Sequence, residues 1–401
     1  MRVIWIGTYA NGSYLEELQA DGTYVQNASN LVQQYYIETI EQKYDIDVFS
    51  ALVTNSYPKG RLLLKENKTD LINGLLSNVG FLNLPYINQY IQKNKLKKLV
   101  KHSVKKSKKD ESYLVFVYAP RVPFLYAASI IKKQRPNTKV INIIPDLPQY
   151  MYTGGRKKTK IKTFIQEKML ERYKKYVDGY VLYTKYMADF LSIPDNKYIV
   201  IEGIYKDKKI CIKREKKEKQ EKQVVLYAGG LNKKYGIDML VEGFLDAHMV
   251  NAELHLYGSG DYVDEIKNIS TINASIVYGG SISAYDAYIK MCEADLLINP
   301  RPSNNSFTKY SCPSKTLEYM ATGSPALVTR LDGIPDEYFN YVYTIENESR
   351  SGIAEAIQRV LSIPEEERLH KAKLAQDFIN EYKNAEYQVN KIIEFSETLT
   401  R

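Results

Sequence analysis

Short apolar runs alternate with segments of helical periodicity along the whole chain, and this alternation constrains the fold more than any other feature. Each run has four to six residues, is rich in β-branched or aromatic side chains, and is bounded by Gly, Pro, Asn or Asp. The ten predicted strands are Arg2–Ile6, Asp47–Leu52, Tyr113–Tyr118, Val140–Ile144, Gly179–Tyr183, Val224–Tyr227, Glu253–Tyr257, Ser275–Tyr278, Leu296–Asn299 and Ala326–Thr329. Strands that alternate with helices form parallel sheets covered on both faces. The sequence therefore predicts an α/β fold.

The chain has 401 residues, which is too long for one compact core and predicts two domains. Residues 206–223 are dense in alternating charges and almost free of apolar side chains, as in a linker or a solvated surface loop. We expect an N-terminal Rossmann-like domain at 1–205, a charged linker at 206–223 and a C-terminal Rossmann-like domain at 224–380. Residues 381–401 are expected to form a helix that packs back on the first domain.

The three cysteines are Cys211, Cys292 and Cys312, and none belongs to a CxxC motif or has a histidine nearby. This argues against a disulfide framework and against a zinc site. No run of about 18 apolar residues predicts a membrane span, and the sequence begins without the apolar region of a signal peptide. We therefore expect a cytoplasmic protein.

The net charge of +9 is unevenly distributed. Residues 1–205 hold 31 Lys and Arg against 18 Asp and Glu, a net charge of +13, and the remainder of the chain carries −4. Such asymmetry predicts that the first half meets a polyanion or an anionic surface.

The basic segment Lys93–Lys109 contains nine lysines around a narrow apolar stripe. The stripe consists of Leu96, Leu99, Val100 and Val104. On a helix this pattern is typical of a segment lying on an anionic membrane. The lysines expected to contact the membrane are Lys97, Lys98, Lys105 and Lys106. A second segment, Gly155–Asp178, begins basic and continues amphipathically. The alternative for either segment is the charged outer face of a core helix, whereas nucleic acid binding fits less well because aromatic residues are not interleaved.

Glycine-containing turns follow three consecutive strands of the second half. Glycine lets backbone amides approach a phosphate, and the start of the next helix adds a partial positive charge. Such a turn alone is a weak signal, because many serve only a sharp change of direction. Together the three turns predict a ligand crevice at the carboxyl ends of the strands. The candidate residues are Gly229, Gly230, Lys233, Lys234, Gly258, Gly260 and Gly280.

The segment Leu296–Thr329 gives the sharpest signal. A strand is followed by a polar loop and by a helix that opens at Pro313, with Ser311 as the predicted N-cap. The amides of residues 314–316 (Ser314, Lys315 and Thr316), with the side chain of Lys315, would bind an anion. Glu318 lies one turn further and can accept two hydrogen bonds from a ribose diol. Gly323 is expected to end the helix.

This stretch resembles the retaining GT-B glycosyltransferases of family 4, of the bacterial surface-polysaccharide type, whose donor helix reads approximately P-x-K-x-x-E-Y-M-A-x-G-x-P-V. The matching residues are Pro313, Lys315, Glu318, Tyr319, Met320, Ala321, Gly323 and Pro325. AGGLNKKYGID is similar to the donor loop of that family, and DLLINPR to its D-x-x-x-x-P-S element. The resemblance covers most of Val224–Tyr343. It implies two Rossmann-like domains whose parallel sheets face a central cleft.

The sequence departs from the family pattern at three positions. Tyr310 replaces the first of a pair of glutamates, and the diphosphate-binding Arg and Lys of the donor loop fall on Gly230 and Tyr235. The positive charge must then come from elsewhere. The candidates are Lys233, Lys234, Arg301, Lys309 and Lys315.

In the first half, Gly7 lies in a loop that the resemblance places beside the substrates. Asp146 follows a strand at a location where relatives carry a His-Asp pair, and Pro145 replaces the His. Asp146 could orient the acceptor hydroxyl or act as a weak base; the alternative is a turn residue or helix cap. The four histidines, His102, His248, His255 and His370, are poorly placed for catalysis.

The resemblance implies a hexosyltransferase that moves sugar from a nucleoside diphosphate to a lipid-linked or saccharide acceptor in capsule or exopolysaccharide synthesis. Its catalytic candidates are Asp146, Lys234, Lys315 and Glu318. The expected acceptor is a polyprenyl-diphosphate-linked saccharide at the inner membrane surface, which makes the protein peripherally membrane-associated. No metal or other cofactor is expected, since no DxD-like motif is present. The alternatives are a sugar-nucleotide epimerase of the same fold and a catalytically silent, glycosyltransferase-like binding subunit.

Overall fold

The computed structural model describes residues 2–85, 87–108, 110–147, 168–206, 222–305 and 308–399. These residues form two compact units, one of residues 1–204 and 385–401 and the other of residues 205–384. Most of the predicted linker, much of the second basic segment and Lys109 lie outside the described residues.

The first unit is built on an eight-stranded sheet with the order β10-β9-β8-β7-β1-β2-β5-β4. Its strands, with the two of a small separate sheet (β3 and β6), are β1 (Arg2–Gly7), β2 (Ile46–Ser50), β3 (Leu63–Leu64), β4 (Asn67–Leu71), β5 (Gly74–Asn78), β6 (Phe81–Leu82), β7 (Tyr113–Tyr118), β8 (Lys139–Ile144), β9 (Gly179–Leu182) and β10 (Tyr198–Val200). Neighbouring strands of the large sheet are parallel except for β4 and β5. Its helices include α1 (Gly12–Ala20), α2 (Asn27–Ile40), α3 (Ile87–Lys106), α4 (Val122–Gln134), α5 (Lys185–Leu191) and the final helix α12 (Ala385–Thr398).

The core of this unit forms because β1 and β7 are apolar on both faces and lie at the centre of the sheet. The indole ring of Trp5 packs against the rings of Tyr36 and Phe116, with centroid separations of 5.5 and 5.8 Å. Ile392, from α12, belongs to the same buried cluster. The last helix of the chain thereby completes the core of the first unit.

The second unit contains a six-stranded parallel sheet with the order β13-β12-β11-β14-β15-β16. Its strands are β11 (Gln223–Ala228), β12 (Ala252–Tyr257), β13 (Ile276–Tyr278), β14 (Leu296–Asn299), β15 (Ala326–Thr329) and β16 (Tyr343–Ile345). Its helices are α6 (Ile237–Asp246), α7 (Val263–Ile272), α8 (Ala284–Glu293), α9 (Ser314–Thr322), α10 (Arg350–Ser362) and α11 (Glu365–Tyr382). The strand order reverses between β11 and β14, and open α/β sheets bind ligands at such a switch point.

The predicted α/β fold is confirmed, and each of the ten predicted runs contains a strand. In the part of the chain that the structure describes, no helix combines the length and the apolar character needed to cross a bilayer.

The predicted orientation of the lysine-rich segment is wrong. Leu96, Val100 and Val104 are buried, because α3 packs against α4 and needs this stripe to cover the sheet. The apolar stripe therefore belongs to the core and does not face a membrane. Among the lysines predicted to contact the membrane, Lys98, Lys105 and Lys106 are exposed and Lys97 is half-buried.

Candidate functional site

Three glycine turns meet at the carboxyl edge of the second sheet. The amide of Gly229 donates to Tyr257 O at 2.8 Å, and the amide of Gly258 donates to Gly280 O at 2.8 Å. Gly258 has a φ of +134°, and a Cβ on it would lie 1.9 Å from Gly229 O. Gly260 approaches Leu231 O just as closely, with a Cβ distance of 2.1 Å. The turns after β11, β12 and β13 thus form one surface whose close contacts only glycine permits.

The side chain of Lys315 reaches this surface from the start of α9. Its ammonium donates a hydrogen bond to Ala228 O, the last carbonyl of β11, and lies 5.5 Å from the centroid of the Tyr227 ring. A Cβ on Gly229 would come within 2.3 Å of Lys315 Nζ, so the glycine provides the space for the lysine. Burial lowers the pKa of Lys315, and the negative charge of Glu318 opposes this shift. The arrangement places a half-buried cation beside the Gly229–Gly230 turn.

A second cation approaches the same turn. Arg301 Nη2 donates to Ser311 Oγ at 3.2 Å, and the guanidinium carbon lies 5.9 Å from the centroid of the Tyr235 ring. That ring in turn lies 3.1 Å from where a Cβ on Gly230 would be. Gly230 and Tyr235, which replace the two cations of the family pattern, are therefore neighbours. Lys315 and Arg301 supply positive charge near Gly230 and Tyr235, where the family pattern has its two cations.

The other predicted cations are exposed. Lys233 pairs with Glu265 at 3.4 Å, which directs its ammonium toward α7. Lys234 lies over the Tyr235 ring at 4.9 Å, and Lys309 over the Tyr310 ring at 5.0 Å. Lys234 thus borders the Gly230–Tyr235 contact, whereas Lys233 is held away from it.

Two details predicted for the start of α9 are wrong. Pro313, in an extended conformation with ψ of 119°, is the N-cap residue, and Ser311 instead accepts a hydrogen bond from Arg301. The amide of Thr316 donates to Pro313 O at 3.0 Å and the residue is fully buried, so Thr316 is not available to a donor. The amides that can face an anion here are those of Ser314, which is exposed, and of Lys315.

Glu318 is half-buried and lies three residues after Lys315, on the same side of α9. The two side chains are close enough for the carboxylate to influence the pKa of the ammonium. Gly323, with a φ of 75°, ends the helix in the left-handed conformation, as predicted.

In the first unit, Gly7 provides packing space. A Cβ on it would lie 2.3 Å from Gln33 Oε1 and 2.8 Å from Trp5 Nε1. Gln33 Oε1 also accepts a hydrogen bond from the amide of Thr8 at 2.9 Å. Gly7 thus leaves the space that Gln33 and Trp5 occupy, and its contact with a donor stays a prediction.

Asp146 is exposed in the bend after β8, next to two tyrosines that sequence reasoning missed. Tyr118 ends β7 and Tyr183 follows β9, and their phenol groups are hydrogen bonded. The pKa of Tyr118 is raised to about 12, mainly by burial and in smaller part by the charge of Asp146, while hydrogen bonds with Ser29 and Tyr183 oppose the shift. The sequence signal for both tyrosines is their position at the carboxyl ends of two predicted strands, where α/β sheets bind ligands.

The comparisons with known proteins point to one class of protein. Residues 222–362, about a third of the chain, match the family model described as Glycosyl transferases group 1. These residues are therefore similar to a group 1 glycosyltransferase domain. The solved structures similar in fold include OtsA, a trehalose-6-phosphate synthase, with a TM-score of 0.66, 11% identity and 100% of both chains covered. No curated protein sequence matches the chain.

Two further solved structures share this fold. HepE from Anabaena, in complex with UDP, has a TM-score of 0.63 and 11% identity over 100% of both chains. A variant of S. aureus TarM, in complex with fondaparinux, α-GlcNAc-glycerol and UDP, has a TM-score of 0.58 and 12% identity over 99% of this chain and 100% of the other. The fold is therefore GT-B, with two Rossmann-like domains.

The matched glycosyltransferase domain contains Gly229, Arg301, Lys315 and Glu318, whereas Gly7 and Asp146 lie outside it. The sequence match and the cluster of cations around the glycine turns thus coincide in the second unit.

We expect Thr316→Val to leave nucleotide-sugar affinity within about twofold of the wild type. Among the described residues, Thr316 Oγ1 is buried without a hydrogen-bond partner, so the isosteric substitution should raise the free energy of unfolding by about 1 kcal/mol. Isothermal titration with donor and urea unfolding measure the two effects. A tenfold loss of affinity would show that this hydroxyl does reach the ligand.

Proposed function

We propose that the protein is a retaining glycosyltransferase of family 4 type that moves a hexose from a nucleoside diphosphate to an acceptor hydroxyl. The observation that carries the proposal is the placement of Lys315 and Arg301 around the Gly229–Gly230 turn. This turn follows β11, where the order of the sheet reverses and ligands of open α/β sheets bind. The group 1 glycosyltransferase match of residues 222–362 supports the same assignment.

In this proposal the diphosphate lies against the Gly229–Gly230 turn and the amino end of α9. The amides of Ser314 and Lys315 point out of the first helical turn, where the helix dipole favours an anion. The Lys315 ammonium and the Arg301 guanidinium add two full positive charges. Glu318, one turn further along the helix, accepts hydrogen bonds from the ribose hydroxyls.

Transfer breaks the bond between the anomeric carbon and the diphosphate oxygen and forms a bond from the same carbon to the acceptor oxygen, on the same face. The acceptor proton passes to the departing diphosphate. Negative charge grows on that leaving group, and the fixed charges of Lys315 and Arg301 stabilise it more in the transition state than in the ground state. In this proposal the side-chain cations stabilise the leaving diphosphate, and no metal ion is proposed for that role. Asp146 in the first unit is assigned the orientation of the acceptor hydroxyl.

The proposed acceptor is a polyprenyl-diphosphate-linked saccharide at the inner face of the membrane, as in capsule or exopolysaccharide synthesis. The net charge of +13 in residues 1–205 and the exposed lysines of α3 support a peripheral association with an anionic membrane. The HepE and TarM structures were solved with UDP, which makes UDP-sugars the first donors to test.

We expect Glu318→Ala to lower the rate of sugar transfer by at least about tenfold, or ~1.4 kcal/mol, because the ribose would lose its hydrogen-bond acceptor. A thermal-shift screen of UDP-, GDP- and dTDP-sugars first identifies the donor, since a ligand that binds the native state raises Tm. The matched control is Glu355→Ala, at an exposed position on α10 of the same unit.

Near-normal turnover of Glu318→Ala would show that the donor lies elsewhere. Release of an epimerised sugar nucleotide without acceptor would favour an epimerase. Donor binding without turnover across the whole panel would favour a silent binding subunit.

A further inference from the structure

The outer side of α3 carries apolar side chains at one end and lysines at the other. The core stripe of Leu96, Val100 and Val104 defines the inner side of the helix. The residues on the opposite side of the helix are separated by three, four, seven or eight positions, or by sums of these. They are Ile87, Tyr90, Lys98, Lys101 and Lys105. Ile87 and Tyr90 are 48% and 63% exposed, and the helix of 20 residues contains no acidic side chain.

The apolar end of this side continues into the neighbouring loop. Buried Asn83 connects this loop to the start of α3. Its backbone N–H donates to Leu62 O at 2.7 Å, and its backbone carbonyl accepts from Tyr57 N at 3.0 Å. Its side-chain oxygen accepts from Asn88 Nδ2, in the first turn of α3, at 3.3 Å. Leu63 pairs with Leu82 in the adjoining small sheet. Tyr57, Leu62 and Leu63 are 48%, 42% and 55% exposed, so the loop and the helix start form one apolar patch.

The lysine end has no counter-charge among the residues that the structure describes. Among the described residues, Lys98, Lys101 and Lys105 form no ion pair, and all three are exposed. Lys93 adds a positive charge at the apolar end, because its ammonium lies 5.4 Å from the ring centroid of Tyr90 and 5.3 Å from that of Tyr126 on α4. The outer side of α3 is about 30 Å long, with apolar and aromatic side chains at one end and an unneutralised basic row of about 10 Å at the other.

We propose that this surface, the docking face, binds an anionic lipid bilayer. Its residues are Tyr57, Leu62, Leu63, Ile87, Tyr90, Lys98, Lys101 and Lys105. A bilayer interface offers anionic headgroups and an apolar boundary side by side, which is the combination that this face presents. The lysines meet the headgroups, and the leucines, isoleucine and tyrosines enter the boundary layer. Nucleic acid would match the lysines and leave the aliphatic side chains without a partner.

The inference rests on the proposed function, which places the acceptor in a membrane, and it specifies how the protein reaches that acceptor. The apolar part of the contact comes from the end of α3 and its loop. The stripe of the helix itself stays in the core.

Flotation with phosphatidylcholine vesicles, with and without phosphatidylglycerol, tests the charge component. We expect the wild type to bind only the anionic vesicles at low salt. Lys98→Gln, Lys101→Gln and Lys105→Gln combined should weaken that binding by about tenfold or more, since each lysine contributes at such a surface. The matched control combines Lys267→Gln, Lys290→Gln and Lys373→Gln, three exposed lysines of the second unit.

The apolar component needs its own variant. Leu63→Ser with Tyr90→Ser should weaken binding to anionic vesicles severalfold, whereas Val250→Ser with Ile272→Ser, at exposed apolar positions of the second unit, should leave it unchanged. Tyr90→Trp gives a direct signal, because the single native tryptophan, Trp5, is buried. Its fluorescence should shift to the blue on binding, and that of Val250→Trp should not.

Three results would each overturn the proposal. The wild type could fail to bind vesicles, it could bind neutral and anionic vesicles equally, or the face variants could bind as well as the wild type. The thermal shift caused by the donor tests the proposed function independently of the docking face. The face variants should keep that shift while losing vesicles, and a protein that binds vesicles through this face but no sugar nucleotide would refute the transferase alone.

Discussion

Replacing Lys315 by methionine will lower kcat/KM for sugar transfer by about a hundredfold, or ~2.7 kcal/mol. Methionine fills the same slot beside Gly229, so the loss reports the missing charge and creates no cavity. In the proposed reaction this ammonium lies beside the turn that holds the leaving diphosphate. Steady-state kinetics with the donor found by thermal shift measure the effect. Lys290→Met, at an exposed lysine of the same unit, is the matched control.

The pH dependence provides a second measurement on the same residue. Burial lowers the pKa of Lys315, and a lysine is charged below its pKa. Transfer should therefore persist toward low pH and decline as the pH rises through this lowered pKa. Lys315→Arg keeps a charge at every accessible pH and should abolish that decline, even if its turnover is reduced. A methionine variant within threefold of the wild type, correctly folded, would show that Lys315 has no part in transfer.

The central strands could be predicted from the sequence because burial on both faces demands continuous apolar runs, as in Tyr113–Tyr118 and Leu296–Asn299. The edge strand Asn67–Leu71 could not, because it is polar and pairs on one side only. The stripe of α3 shows a further limit. A helical apolar pattern specifies that one side is buried, but the pattern is the same whether a sheet or a membrane covers it.

The donor site was partly predictable for a similar reason. Local motifs identify Gly323 as a helix end, and a resemblance singles out Glu318. The meeting of Lys315 with Ala228, 87 positions apart, arises only from the sheet order that brings β11 beside β14. The pair of Tyr118 and Tyr183 arises in the same way from adjacent strands of the first sheet. Tyrosine is common throughout this chain, so neither residue stood out before the fold was known.

Gly258→Ala is expected to destabilise the second unit by about 2 kcal/mol and to weaken donor binding by about tenfold. Its φ of +134° disfavours any side chain, and the new Cβ would lie 1.9 Å from Gly229 O, a backbone atom that cannot rotate away. The turn after β11 must shift, and with it the position at which Lys315 meets Ala228. Thermal unfolding should show Tm lower by about 4–8 °C for a unit of this size, and titration should show the weaker binding.

Gly280→Ala is the control that separates the effect of backbone strain from that of displacing the Gly229 turn. Gly280 also has a positive φ, of +73°, but a Cβ there would meet nothing within 4 Å. It should therefore cost about 1 kcal/mol of stability from backbone strain alone and leave donor affinity within about threefold. If Gly258→Ala lowers Tm without weakening donor binding, the turn is structural and the nucleotide lies elsewhere. If both variants weaken binding equally, strain at the sheet edge matters more than the position of the Gly229 turn, because of the two added Cβ atoms only that of Gly258→Ala would meet Gly229.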